Sequence, residues 1–165
     1  MRRIQASVSR SASSLSVSYL VEGDIAQLRI PPPRVRRIAG RLWQHTCCEI
    51  FIARRGLPAY HEFNLAPSGE WAAYGFERYR EGAAPSDAAM NPEIRVQHEA
   101  GRLGLDATIR LDKLELAQSA LSAALCAVIE DARGSLSYWA LKHPPGKPDF
   151  HHRDAFALEL DEARH

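Results

Sequence analysis

Cysteine is scarce in this chain: Cys47, Cys48 and Cys126 are the three in 165 residues. Cys47 and Cys48 are adjacent, so on a strand they point to opposite faces. An odd count without regular spacing is no disulfide framework, and the absence of C-x-x-C excludes a zinc ribbon. This usage fits a reducing compartment. No apolar run reaches the roughly 18 residues of a spanning helix, so no membrane partner is expected. An excess of either charge is missing too. Lys and Arg number 21 against 20 Asp and Glu, a net charge of +1, which offers no global basic field to nucleic acid. The one basic cluster, Arg34, Arg36 and Arg37, reads as a solvated loop. The N-terminal "MRRIQASVSRSASSLSVSYL" has a basic start, but serine interrupts each hydrophobic run, so no secretory leader is read and a cytoplasmic location is the expectation. There is no P-loop, no dinucleotide fingerprint and no G-x-S-x-G elbow. Methionine is limited to Met1 and Met90, which gives a methionine–histidine haem pairing little to work with.

What the sequence has in plenty is period-two alternation. In "SLSVSYLV", Leu15, Val17 and Tyr19 alternate with serines; Glu22-Gly23-Asp24 makes a turn, and "IAQLRI" resumes at Ile25, which predicts a β-hairpin. Pro31 to Pro33 form a stiff extended connection. "TCCEIFIAR", "AYHEFNLA" and "EWAAYGFERYR" read as successive strands, with Pro67-Ser68-Gly69 as a turn between the last two. "EIRVQHE" and "RLGLDATIRL" form a second hairpin across Ala100-Gly101. Residues 113–130 carry helical spacing, but the expectation is a short helical turn near 113–119 and a strand over 121–130. "SLSYWALK" and "FALELD" complete the set. Frequent turns and nine or ten strands predict an all-β, two-sheet antiparallel β-sandwich of immunoglobulin-like or jelly-roll type, with at most one or two short helices, as a single domain over 1–165.

Polar and aromatic residues fall mostly in three stretches: "LWQHTCCEIF" with Trp43, His45 and Glu49; "YHEFNLAPSGEWAAY" with Tyr60, Glu62, Asn64 and Trp71; and "SYWALKHPPGKPDFHHRD" with Trp139, Lys142, His143 and His151. Alternation places Tyr60, Glu62 and Asn64 on one face and His61, Phe63 and Leu65 on the core face. Carboxylates and an amide beside an aromatic plate suit sugar hydroxyls: a pyranose face stacks while the polar groups take paired hydrogen bonds. The competing structural reading puts the tryptophans in the core and the acids in edge salt bridges. Glu49 and Glu62 also fit a glycosidase acid–base pair, which needs a defined separation and perturbed pKa values. His143, Asp149, His151 and His152 admit a metal loop, although three prolines break the spacing of a compact ligand pair. In that loop Pro144, Pro145 and Pro148 remove backbone donors and stiffen the chain, so it is expected to border a binding face, with Asp149 and Asp154 as anchors.

At these three stretches the chain resembles the bacterial DOMON-like domain proteins, relatives of the family 9 carbohydrate-binding modules. The tryptophan, the strand glutamate, the E-F-N-x-x-P-S-G turn and the terminal P-D-F-H carry the resemblance, which covers about Ser14 to Leu160. It implies a β-sandwich with a non-catalytic binding role and sugar or haem as family-level ligands. No methionine matches the haem-binding branch. The reading is therefore a carbohydrate-binding module without cofactor or metal, binding a sugar or other small molecule through Trp43, His45, Glu49, Tyr60, Glu62, Asn64, Trp71, Trp139, Lys142, His143 and His151. Haem or metal binding, or glycoside chemistry at Glu49 and Glu62, are the alternatives.

Overall fold

A computed structural model describes residues 3–85 and 88–164. The described residues form eleven strands in two antiparallel sheets, and helical content is confined to single three-residue 3-10 turns. The first sheet has the order β1-β2-β8-β7, from Arg3–Arg10, Ser14–Glu22, Arg102–Arg110 and Glu93–Glu99. The second runs β10-β9-β3-β4-β5-β6, from Leu136–Ala140, Leu121–Glu130, Cys47–Arg54, Tyr60–Leu65, Trp71–Phe76 and Ala84–Pro85. β11, Leu158–Leu160, pairs with β9 at Leu121–Ala123, beyond the stretch that β10 takes. The sequence-derived sandwich is thus the observed fold.

The alternation explains which sheet faces which. In β2 and β8, Leu15, Val17, Tyr19, Leu105, Ala107 and Ile109 are buried while their neighbours are partly or fully exposed. These side chains meet Cys48, Ile50, Ile52, Phe63, Leu65, Trp71, Leu121 and Leu125 of the second sheet in one apolar layer. Tyr19 reaches across that layer and donates its hydroxyl proton to the Glu49 carbonyl at 2.6 Å. The hairpin at Ala100-Gly101 is present, with Gly101 at φ 77, a left-handed conformation that glycine adopts without a Cβ clash.

One expected hairpin is absent. β2 does not pair with the segment beginning at Ile25, which forms a 3-10 turn over Ile25–Gln27. Its partners are β1 on one edge and β8 on the other. β1 has the alternation Ile4, Ala6, Val8, but small and polar residues on a half-covered edge weaken the signal. The helical turn near 113–119 shrinks to a 3-10 turn over Asp112–Leu114, followed by the expected strand β9.

Trp71 is the largest fully buried side chain. It pairs with Leu65 and shares its inward face, so it fills the core between the sheets and is not a ligand plate. Trp71→Ala is therefore expected to lower unfolding stability by about 3–5 kcal/mol in urea titrations. A surface plate would lower it by less than about 1 kcal/mol.

Candidate functional site

The second sheet is buried on both faces along its middle strands. Seven consecutive residues of β3, Cys47 to Ala53, are buried. The inward set belongs to the core; the outward set is Cys47, Glu49, Phe51 and Ala53. Register extends this outer face laterally. Cys126, Glu49, Asn64 and Ala72 form one cross-strand row, and Ala124, Phe51, Glu62 and Tyr74 form the next. A strap over residues 141–157 leaves the end of β10 and returns as β11, crossing this face. Phe150, Ala155 and Phe156 of the strap pack with Phe51, Tyr60, Phe76, Ala124, Cys126 and Val128 in a second small core. Phe51 meets Phe150, His151 and Phe156 edge to face.

The strap covers only part of the face. Beside it a cleft of about 430 Å³ opens, with Glu49 and Glu62 among its lining residues and Trp43, Tyr74, Phe76, Tyr138 and Phe150 as aromatic lining. Arg80, Asp149 and His151 complete its polar lining. Trp43 and Tyr138 are each 47% exposed. Trp43 sits on a 3-10 turn, Leu42–Gln44, introduced by Arg41 at φ 57; Arg80 itself has φ 53. Left-handed non-glycine residues are costly and persist where the surroundings enforce them, often at functional sites. Here one precedes and one lines the cleft. A wider depression of about 860 Å³ adjoins it at His151 and reaches Tyr60, but its Arg55, Arg78, Glu81, Arg153 and Glu159 are all exposed. Volume alone does not mark a site; buried polar groups do.

Hydrogen bonds fix the strap side of the cleft. The Arg80 backbone N–H donates to the Tyr60 hydroxyl at 3.1 Å, and that hydroxyl shares a hydrogen bond with His151 Nδ1 at 2.7 Å. Nε2 of His151 points at Glu62 Oε2, 3.5 Å away. Asp149 accepts from the Arg80 guanidinium at 2.8 Å, from the Tyr79 hydroxyl and from the His151 backbone N–H at 3.1 Å. These bonds hold Asp149 below the usual carboxylate range against the burial that would raise it. Burial, then Arg80, push His151 down to about 4 against the pull of Asp149, so the ring is neutral at pH 7. Its contact with Glu62 is accordingly not an ion pair there.

The carboxyls at the floor differ from the protein's other buried ones. Glu70 is held by Arg37 at 3.0 Å and by Ser68, and Glu130 by Arg29 at 3.0 Å and His45 at 2.7 Å. Both lie below the ordinary range in spite of burial. Glu49, 3% exposed, has no such partner among the described residues; burial and then Glu62 push it well above the ordinary range. Burial raises Glu62 to about 7, with Arg80 and the Asn64 amide pulling the other way. Asn64 stands directly across from Glu49, fully buried, and beyond its pull on neighbouring Glu62 neither amide atom makes a well-formed hydrogen bond among the described residues. Such groups destabilise the fold unless something binds them.

The residues expected from the sequence divide accordingly. Trp43, Glu49, Glu62 and His151 line the cleft; Tyr60 orients His151, and Asn64 sits beside Glu49. The other five lie elsewhere. His45 is engaged by Glu130, and Trp71 is in the core. Trp139 packs on the inward side with Val21, Ala127 and Ile129, and its indole N–H donates to Ser137. Lys142 lies beyond the end of β10 and is exposed. His143 is exposed and stacks on Phe150 at 6.2 Å. His152 caps the Asp154 N–H, and among the described residues no three of His, Cys, Asp and Glu converge as a metal site. The three cysteines are free and buried. Tyr74, Arg80 and Tyr138 are cleft residues that the sequence does not single out. Tyr138 alternates with Trp139 and is the outward member of the pair.

No family model matches the chain, and no curated protein matches its sequence. Solved structures do match its fold. A proposed carbohydrate-binding protein from Bacteroides uniformis superposes with a TM-score of 0.71 at 15% identity, over 96% of this chain and 78% of that one. A family 9 carbohydrate-binding module from Caldicellulosiruptor kristjanssonii, solved with cellotriose, gives 0.61 at 12% identity over 100% and 78%. The same organism's family 9 module with glucose gives 0.57 at 11% identity over 100% and 80%. At these identities the likeness establishes a shared fold.

Glu62 and His151 make opposite demands on pH. Glu62 is raised, so its contribution is full below the unfolded value of 4.5 and is lost as pH rises toward about 7. His151 is depressed, so its contribution is present above 6.5 and is lost as pH falls toward about 4. Between about pH 4.5 and 6.5 these two slopes oppose each other, while Glu49, raised as well, adds its own loss as pH rises, so wild-type Tm is expected to fall on alkalinisation. Glu62→Gln should flatten that fall. His151→Asn should steepen it. Each variant is expected to change the span of stability across the range by on the order of 2 kcal/mol, checked by thermal melts.

Proposed function

We propose that this chain is a carbohydrate-binding module that holds a sugar in the cleft beside the strap and does not transform it. One observation carries the reading: Glu49, almost fully buried, lines an aromatic-walled cleft without a partner among the described residues, while Glu70 and Glu130 are both paired. A buried carboxyl with no internal partner costs stability, and a binding role accounts for its being kept there. Exposed Trp43 and Tyr138 offer apolar ring faces for a pyranose, and carboxyl and amide groups suit its hydroxyls. The fold shared with sugar-complexed family 9 modules supports the same ligand class. The finer placement among DOMON-like proteins draws on the three matching stretches.

A glycoside-acting enzyme is the second reading, favoured by one feature: Glu62, near 7, holds a proton as a general acid must. Glycosidases push their two carboxyls apart, one protonated and one ionised. Here both are raised, so the pair lacks the split between a protonated and a firmly ionised carboxyl that such enzymes build.

A glycan array followed by isothermal titration tests the proposal. Trp43→Ala and Tyr138→Ala are expected to weaken sugar binding by about 1 kcal/mol or more each, roughly sixfold, with Tm nearly unchanged. Chromogenic glycosides should not turn over. Turnover that disappears in Glu62→Gln would establish the enzyme reading instead.

A further inference from the structure

We propose that the sugar held in this cleft is an amino sugar with a free ammonium group, recognised by Glu49 and Glu62. The inference rests on the carbohydrate reading and names the ligand's charge. It follows from what faces the two carboxyls. From β3 and β9 come the Cys47 and Cys126 thiols, both pushed well above their ordinary range by burial and neutral at pH 7. From β5 comes Tyr74, also raised and neutral. From β4 comes the uncharged amide of Asn64. From the strap come neutral His151 and the ionised Asp149, whose charge is matched by Arg80 at 2.8 Å. Tyr19, from the opposite sheet, bonds only the Glu49 backbone. Among the described residues the cleft thus holds one balanced ion pair and two carboxyls for which the protein supplies no cation of their own.

A ligand ammonium group would be that cation. The aromatic lining favours it as well, because ring faces attract a cation within about 6 Å. Trp43, Tyr74 and Tyr138 all line the cleft. A neutral sugar offers neither interaction, and an anionic one would meet two acidic groups. Binding has a defined proton balance. The ligand enters as R–NH3+, a carboxyl in its neutral form gives its proton to the solvent, and the resulting carboxylate pairs with the ammonium. One proton is released for each carboxyl so ionised.

Isothermal titration of the full chain with glucosamine, glucose and N-acetylglucosamine tests this, run in two buffers of different ionisation enthalpy. Glucosamine is expected to bind at least about tenfold more tightly than the other two near pH 7. Binding should release protons, and the affinity for glucosamine should rise between about pH 5.5 and 7, where the amine stays mostly protonated. In Glu49→Gln the ratio of glucosamine to glucose affinity should fall toward one. Glu62→Gln, which removes the other carboxyl, should lower the same ratio and serves if the first variant does not fold. Equal binding of glucose and glucosamine, no proton release, or a ratio unchanged in both variants would overturn the inference and leave the carbohydrate reading standing. If none of the three sugars binds, both fail. A larger rise in Tm with calcium chloride than with glucosamine would also overturn it, by assigning the carboxyls to a metal ion.

Discussion

β3 is buried on both sides, and most of the molecule's organisation follows from that. An antiparallel strand commonly has one face for the core and one for water. Here the inward face of Cys48, Ile50 and Ile52 is sealed by the first sheet, so the outward face of Cys47, Glu49, Phe51 and Ala53 needs a cover of its own. The chain supplies it with the strap, whose Phe150 and Phe156 lie against Phe51. The cover is incomplete. Where it stops, the face changes from phenylalanine to glutamate, and the cleft begins.

Burial without partners gives the cleft its chemistry. The protein places arginine beside Glu70 and Glu130, so it has the means to neutralise a buried carboxylate. Among the described residues it does not do so at Glu49 and Glu62, and the guanidinium of Arg80 in the cleft is taken by Asp149. The hydroxyl of Tyr60 and the ring of His151 then settle which nitrogen of the imidazole faces Glu62. Rigid placement of this kind lowers the entropy a ligand must overcome, because the binding groups are already ordered.

The sheet architecture was legible because alternation survives wherever one face meets water. Serines between Leu15, Val17 and Tyr19 mark β2, and the Ala100-Gly101 turn marks the β7–β8 hairpin. The same alternation placed Glu62 and Asn64 on one face and Phe63 on the other. It is weak at β1, where Ile4, Ala6 and Val8 sit on a half-covered edge among arginine and serine. At the site, alternation gives two faces but not which is inward. Trp71 and Trp139 stand among the expected site residues because tryptophan is amphipathic, yet each shares a face with apolar neighbours, Leu65 and Ala127 respectively. Beside Trp139, Tyr138 carries no separate signal in the sequence. The contribution of Arg80 was out of reach, since it comes from a loop that only the fold brings to the strap.

Both ends of the strap are fastened to a single strand. Ala140 pairs with Cys126 and Leu158 with Ala123, so the two ends sit three residues apart on β9, roughly 10 Å. The segment between them closes on itself without threading through either sheet. For a closed loop of this kind the entropy of closure grows only with the logarithm of length, and doubling it costs about 0.6 kcal/mol. That is less than the value of one buried methylene group, about 0.8 kcal/mol. One wall of the cleft can therefore lengthen, shorten or change composition while both sheets keep their register.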